Sequence, residues 1–300
     1  MIKNIFITII LFAAFLSPAL AQTETAVPDS LKGNILEKKK DVTFPETPKE
    51  KNLEKKLQSR IYSASQFFHE TGLFIKQPSK WIKSDWLKLG IVTAATIAVM
   101  PFDEAITNST QGEQRYYHHA LIDGGRVYGE WYSIGLVAGG FGLFGLIAKD
   151  TAAKKISIEL LQAGLYAEIV TTILKVGLGR ARPVHTDNAF TYHPFNFVDF
   201  NFHSMPSGHT TSAFALSTVM SRHANSTALK IIAYLPAGFT MFSRIYQHKH
   251  WLSDEIPAAA IGFFVGNWVV DLHEGRKHKI NVTSMYPLGI SYSLNRVNNK

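Results

Sequence analysis

The chain contains no cysteine among its 300 residues, and this absence removes two classes of structure. Without thiols there is no disulfide framework, and there is no thiolate metal site. Acidic residues are fewer than basic ones, with 23 Asp and Glu against 31 Lys and Arg, which gives a formal net charge of +8. A positive balance suits anionic partners such as lipid headgroups, phosphorylated substrates or nucleic acid.

Long hydrophobic runs are also missing. Hydrophobic residues make up 46% of the chain, but the main apolar stretches are each near or below the roughly 17–25 residues that cross a bilayer. Several contain Gly, Ala, Ser and Thr, which let helices pack closely. Membrane spans and the helices of a soluble bundle both fit this pattern, and both give an all-α fold of six helices; we favour membrane spans. The stretches are 86–102, 131–148, 156–174, 209–221, 229–243 and 255–271.

The remaining segments flank this predicted helical domain, which covers residues 86–275. Residues 1–21 resemble a secretory signal peptide, with Lys3, an apolar run and a small-x-small pattern at Ala19 and Ala21, although an uncleaved anchor also fits. Residues 22–58 read as a polar linker, whose interleaved acids argue against a nucleic-acid partner, and 59–85 as an amphipathic lead-in helix. Residues 276–300 alternate with the period of strands, compatible with a small β-hairpin.

Charged and polar residues gather in three segments that lie at helix ends and are distant in sequence. "KVGLGRARP" follows the third apolar stretch, "MPSGHTTS" opens the fourth, and "SRIYQHKHWLSD" joins the fifth to the sixth. In an up-and-down bundle, the end of the third helix, the start of the fourth, the end of the fifth and the start of the sixth lie on the same side. Convergence of remote segments on one surface is what a functional site requires.

The residue types in these segments suit the binding of an anion. Lys175, Arg182 and Arg244 supply cations, and arginine can hold phosphate oxygens with two parallel hydrogen bonds. Ser207 and Gly208 begin a helix, where free N–H groups and the helix dipole favour an anion.

Two histidines come from different segments of the same predicted surface. His209 lies in the fourth stretch and His250 precedes the sixth. Asp254 follows His250 by four residues, one helical turn, and can therefore hold the imidazole in one tautomer.

The spacing of these residues resembles the three signature motifs of the type 2 phosphatidic acid phosphatases (PAP2). The motifs are Lys175 followed after six residues by Arg182-Pro183, then "PSGH" at 206–209, then Ser243-Arg244 followed by His250 and Asp254. This superfamily includes bacterial class A acid phosphatases and vanadium haloperoxidases. The resemblance covers roughly residues 86–272 and places the chain in the membrane-associated lipid phosphatase branch.

The resemblance implies a role for each motif residue. His250 would be the nucleophile that forms a phosphohistidine, with Asp254 orienting it, and His209 would protonate the leaving group and then activate water. The phosphoryl oxygens would be held by Lys175, Arg182, Ser207, Gly208 and Arg244. No metal or other cofactor is expected.

The expected function is therefore phosphate release from a membrane lipid. Phosphatidate-like lipids, undecaprenyl pyrophosphate and lipid A phosphates remain open as substrates, and no obligate protein partner is predicted. A secreted, broad-specificity acid phosphatase is the alternative within the same fold. A non-catalytic envelope protein is the alternative from another class, and the intact His250, His209 and Asp254 argue against it.

The distribution of lysine and arginine predicts the orientation of the site. The positive-inside rule places the more basic side in the cytoplasm, so the motifs face the periplasm or the exterior. A cleaved signal peptide followed by six spans would place them inside, and we give more weight to the charge bias. The twelve cations opposite the motifs are Lys76, Lys80, Lys83, Lys88, Lys149, Lys154, Lys155, Arg222, Lys230, Arg276, Lys277 and Lys279.

Overall fold

The computed structural model describes residues 63–111 and 119–275, and they form helices joined by turns and loops. Within these ranges there is no strand, only an isolated bridge between Arg180 and Tyr192. The expected all-α fold is confirmed. The predicted signal peptide, the linker and the C-terminal hairpin lie outside the described residues. The helices are α1 Ala64–Ile75, α2 Lys83–Val99, α3 Asp103–Gln111, α4 Ala120–Tyr128, α5 Trp131–Ile147, α6 Thr151–Leu178, α7 Gly208–His223, α8 Thr227–Ile232, α9 Leu235–Tyr246 and α10 Leu252–His273.

The chain divides into two compact units after Trp81. In the first, the side chain of Ser63 accepts a hydrogen bond from Gln66 N at 3.2 Å and caps α1. In place of the lead-in helix expected over 59–85, the first unit contains α1 and a short 3₁₀ turn at Pro78–Lys80. All other helices and every predicted site residue belong to the second unit.

The ends of α6 are set by its sequence. Asp150 accepts hydrogen bonds from Ala152 N and Ala153 N at 2.8 and 3.1 Å and caps the N-terminus. Gly179 ends the helix with φ of 60°, a left-handed conformation that glycine adopts without strain. Asp254 likewise accepts from Trp251 N at 2.9 Å at the start of α10. Pro257 lies inside α10.

Helices α6, α7 and α10 pack against one another around the buried centre of the second unit, and α4 packs against α9. Small, polar and apolar residues are all buried at this centre. Among them, Ala213, Ala215 and Val269 have no exposed surface. Because α6 runs opposite to α7, the end of α6 and the starts of α7 and α10 share one end of the bundle. This arrangement brings the three predicted motifs together.

Three helical segments are long and apolar enough to cross a membrane: Lys83–Thr110, Thr151–Leu178 and Leu252–His273. Helices α4 and α5, bent by 71°, add a fourth within the described residues if the pair is one span. Helices α7 and α9 have only 16 and 12 residues, and at about 1.5 Å per residue neither covers a hydrocarbon core of about 30 Å. The six predicted stretches all contain helices, but not all of these helices are long enough to cross a bilayer. With its candidate spans, the protein is a membrane protein.

Candidate active site

A cavity of about 220 Å³ lies where α6 ends and where α7 and α10 begin. Five of the eight predicted site residues line it. The other three, Asp254, Ser207 and Arg244, are buried with 0%, 0% and 4% of their surfaces exposed. The lining residues are Gly129, Glu130, Trp131, Glu168, Lys175, Arg182, Gly208, His209, Ser212 and His250.

The imidazole of His250 has a defined tautomer. Its Nδ1 lies 2.8 Å from the carbonyl oxygen of Ser204, which can only accept a hydrogen bond, so Nδ1 carries the proton. The Nε2 atom is left with a lone pair. Burial, and then the nearby cations Lys175 and Arg182, lower the pKa of His250 well below its usual value. His250 is therefore neutral at neutral pH, the form that a nucleophile needs.

Asp254 is placed differently from the sequence expectation. Its Oδ2 lies 3.6 Å from Nδ1 of His250, and the direct hydrogen bond of the imidazole goes to the Ser204 carbonyl instead. The same Oδ2 accepts hydrogen bonds from Ser204 Oγ at 2.6 Å and from Trp251 N at 2.9 Å. Asp254 thus supports the histidine through Ser204 as well as through proximity.

Arg180 connects Asp254 to a second buried carboxylate. Its Nη1 donates to Asp254 Oδ1 and its Nη2 to Asp103 Oδ2, both at 2.7 Å, and the arginine is fully buried. Asp103 in turn accepts from Ser253 N at 2.9 Å. Because all three groups are paired, no buried charge is left uncompensated, and removal of any one of them would be strongly destabilising. This network joins the start of α3 to the start of α10.

The cations of the first motif are held by one backbone segment. Lys175 Nζ donates to the carbonyl of His203 at 2.9 Å, and Arg182 donates to the carbonyls of Phe200 and His203 at 3.1 and 3.3 Å. Both side chains therefore reach the cavity already oriented. Because these hydrogen-bond partners are neutral carbonyls, they do not cancel the positive charge of the two side chains, which suits a phosphate.

The cation of the third motif is also available for an anion. Arg244 Nη1 donates to Gln247 at 2.7 Å, while its buried Nε has no hydrogen-bond partner among the described residues. Burial lowers the pKa of Arg244 to about 10, so it remains charged at neutral pH. The buried hydroxyl of Ser207 also lacks a partner within the described part of the chain.

His209 faces a carboxylate that the sequence does not reveal. Its Nε2 lies 3.3 Å from Glu130 Oε1, and Arg126 Nη1 donates to the same oxygen at 3.0 Å. Burial lowers the pKa of His209, whereas the contact with Glu130 raises it. Glu130 lies in the break between α4 and α5. The approach depends on Gly129, where a Cβ atom would lie 2.6 Å from the backbone oxygen of His209.

The comparison with protein families agrees with these motifs. Residues 158–277 match the family model described as PAP2 superfamily. A lipid A 1-phosphatase from Porphyromonas gingivalis is 40% identical over 74 residues, which cover 23% of this chain and 17% of that protein. The chain thus matches about a sixth of that relative's length.

Two solved structures also resemble this chain. One is a transmembrane PAP2 type phosphatidylglycerolphosphate phosphatase from Bacillus subtilis, at 22% identity and a TM-score of 0.48, covering 65% of this chain and 97% of that one. The other is LpxE from Aquifex aeolicus, at 24% identity and a TM-score of 0.30, covering 47% of this chain and 83% of that one. All three signature motifs lie within residues 158–277, the part of the chain that matches the PAP2 superfamily model.

Proposed function

We propose that this protein is a phosphatase that removes phosphate from a membrane lipid through a phosphohistidine intermediate. The observation that carries the proposal is the cavity in which His250 and His209 meet Lys175 and Arg182. Phosphoryl transfer depends mainly on positioning and on positive charge around the phosphoryl oxygens. The match of residues 158–277 to the PAP2 superfamily model and the similarity to a lipid A 1-phosphatase support this activity.

In the first step, the lone pair on Nε2 of His250 attacks phosphorus while the bond to the lipid oxygen breaks. His209, in its protonated form, gives its proton to that oxygen, and the lipid alcohol leaves. In the second step, neutral His209 takes a proton from water as the water oxygen attacks phosphorus. Inorganic phosphate departs, and His250 regains its neutral form.

The role proposed for the cations is to hold the phosphoryl oxygens during both steps. Lys175, Arg182 and Arg244 offer N–H donors, and the start of α7 at Ser207 and Gly208 offers backbone N–H groups. Asp254 stabilises the charge that develops on the imidazole of His250. No metal is needed in this mechanism.

The mechanism is tested by replacing the nucleophile. We expect His250→Ala to abolish phosphate release and His209→Ala to lower kcat strongly, because each removes a group that reacts. With a lipid substrate whose phosphate is radiolabelled, the wild-type protein should acquire an acid-labile covalent label, and His250→Ala should not. Vanadate should inhibit the wild type, and EDTA should not. Turnover that survives His250→Ala would show that the assignment is wrong.

A lipid substrate is proposed because the site lies at the ends of helices whose outer faces are apolar. In α6, for example, Leu161, Leu165 and Ile173 are exposed. Truncating the acyl or prenyl chain should therefore lower kcat/KM by orders of magnitude, because binding energy from the remote chain contributes to the rate. The measurement compares long-chain phosphatidate, undecaprenyl pyrophosphate and lipid A in detergent with p-nitrophenyl phosphate. Equal turnover of the small ester would favour the acid phosphatase alternative.

A further inference from the structure

The loop between α6 and α7 exposes large apolar side chains beside the cavity. Phe195, Phe197, Val198 and Phe200 are 73%, 73%, 85% and 74% exposed, and Phe190 is 57% exposed. The alternation in "FNFVDFNF" fits phenylalanines that line a lipid entry as well as phenylalanines that pack on the bundle, and Phe195, Phe197 and Phe200 are largely exposed. Contiguous apolar surface of this kind marks an interaction site.

This loop continues the apolar surface of a candidate membrane span. Leu161, Leu165, Ile169 and Ile173 are exposed at four-residue spacing, so they form one stripe along α6. From Leu161 to the end of α6 at Leu178 the helix rises about 26 Å, close to the thickness of a hydrocarbon core. The end of the stripe should therefore lie near the membrane surface.

The backbone joins the loop directly to that end of α6. Phe195 N donates a hydrogen bond to the carbonyl of Val176 at 2.8 Å, and His193 N donates to the carbonyl of Gly179 at 2.7 Å. The exposed phenylalanines are thus fixed beside the last turn of the span. Trp131, which lines the same cavity, is 76% exposed, and tryptophan is typical of membrane interfaces.

The same loop also positions the phosphate-binding cations. The carbonyl of Phe200 accepts from Arg182, and the carbonyl of His203 accepts from both Arg182 and Lys175. The carbonyls that hold the cations belong to Phe200 and His203, and not to Phe197 or Val198. The apolar surface and the cations are parts of one short segment.

We propose that residues 190–200 form an interfacial anchor that inserts into the headgroup and upper acyl region of the bilayer. The partner is the lipid surface itself. The anchor holds the cavity at the level where a lipid phosphate lies, so that the phosphate can enter without the lipid leaving the membrane. A loop with aromatic side chains and a polar backbone suits this layer, because the side chains meet hydrocarbon while the backbone meets water.

The depth of the loop can be measured without any assay of activity. Because the chain has no cysteine, single Val198→Cys, Ile169→Cys and Asn225→Cys variants each carry one spin label. The full chain is reconstituted in vesicles of phosphatidylethanolamine and phosphatidylglycerol, and the label's relaxation by oxygen is compared with its relaxation by a water-soluble nickel chelate. Ile169 lies in the stripe, and Asn225 lies in an exposed turn at the other end of the bundle.

We expect the oxygen-to-nickel ratio at Val198 to lie between those at Ile169 and Asn225. A ratio equal to that at Asn225 would place the loop in water and overturn the proposal. Dipolar broadening at Val198 that disappears on dilution with unlabelled protein would show that a second copy covers the loop, and this also overturns it. Failure here leaves the phosphatase proposal intact, because depth does not depend on turnover.

The effect on turnover rests on the proposed function and is measured separately. Phe197→Ser combined with Val198→Ser should lower kcat/KM for a long-chain lipid phosphate in vesicles by about tenfold and leave p-nitrophenyl phosphate hydrolysis unchanged. Ile147→Ser, at an 82% exposed position at the end of α5, is the matched control and should not change the ratio of the two rates. An equal loss on both substrates would mean that the loop only supports the cavity, and the anchor would be rejected.

Discussion

Glu130 is the residue that most alters the electrostatics of the proposed general acid. Its carboxylate lies 3.3 Å from Nε2 of His209 and is held by Arg126. A neighbouring anion favours the protonated imidazole, which is the form that can give a proton to the leaving group. Burial acts in the opposite direction and lowers the pKa of His209. The balance between these two effects sets the pH range of activity.

Replacing this carboxylate by an amide therefore predicts a shift in pH dependence. In Glu130→Gln the pKa of His209 falls further, so His209 loses its proton at lower pH. The alkaline limb of the kcat/KM profile should move to lower pH, while the acidic limb, which reflects His250, stays in place. The measurement is kcat/KM against pH for the wild type, Glu130→Gln and Glu130→Asp.

A purely structural role for Glu130 would give a different result. The profile would then keep its shape and fall by the same factor at every pH. Glu130→Asp, which keeps the charge, should restore part of the alkaline limb. An unchanged alkaline limb in Glu130→Gln would contradict the pairing.

Which of these residues the sequence can predict depends on how far apart the partners lie. Lys175, Arg182, His209 and His250 occur at fixed short spacings within motifs, so the sequence alone selects them as candidates, and all four line one cavity. Arg180 belongs to the same short stretch, but its partners Asp103 and Asp254 are 77 and 74 positions away. Nothing local in a sequence marks such a pair. Likewise, the Ser204 carbonyl that orients His250 is a backbone atom and leaves no compositional signal.

At the scale of elements, the break between α4 and α5 brings Glu130 to the site. The two helices bend by 71° at Gly129 and Glu130. A Cβ atom at position 129 would lie 2.6 Å from both the His209 backbone oxygen and Thr240 Cγ2. The absence of a side chain is therefore what lets this break approach the start of α7. The sequence predicts the helix from 131 onward, but α4 has only 9 residues, too few for a clear apolar period.

Enlarging this glycine should damage activity more than folding. In Gly129→Ala, overpacking costs about 1–3 kcal/mol, and the break moves away from His209. We expect a large fall in kcat together with a moderate fall in melting temperature. Gly135→Ala is the control, because a Cβ there meets nothing within 4 Å, and removing a helical glycine stabilises by about 1 kcal/mol.

The two variants are compared by thermal unfolding in detergent and by phosphate release. If Gly129→Ala lowers the melting temperature, and its fall in kcat is no larger than the loss of folded protein at the assay temperature explains, the break does not position His209. If both variants behave alike, the close packing at position 129 is not required for the site.

On the scale of the whole molecule, the two ends of the bundle differ in charge. The end opposite the cavity contains Lys149, Lys154 and Lys155 at the start of α6 and Arg222 at the end of α7. These termini are neighbours, since His223 Nε2 lies 2.5 Å from Glu159 Oε2. Surplus positive charge at membrane helix ends favours the cytoplasm. This charge bias predicts that the cavity, with its own cations committed to the proposed site, faces away from the cytoplasm.

This orientation is tested with the two loops that join α6 to α7 and α7 to α8. Reporter fusions after Asp187 and after Asn225, both exposed, sample opposite ends of the bundle. We expect an alkaline phosphatase reporter, which is active only outside the cytoplasm, to be active after Asp187 and inactive after Asn225. A fluorescent cytoplasmic reporter should show the reverse.

Replacing Lys149, Lys154 and Lys155 by glutamine should reduce this asymmetry between the two fusion sites, because the charge bias sets it. Alkaline phosphatase activity after Asn225 and not after Asp187 would place the cavity in the cytoplasm. The lipid phosphate would then be drawn from the inner leaflet, and lipids exposed only on the outer surface would no longer be candidate substrates.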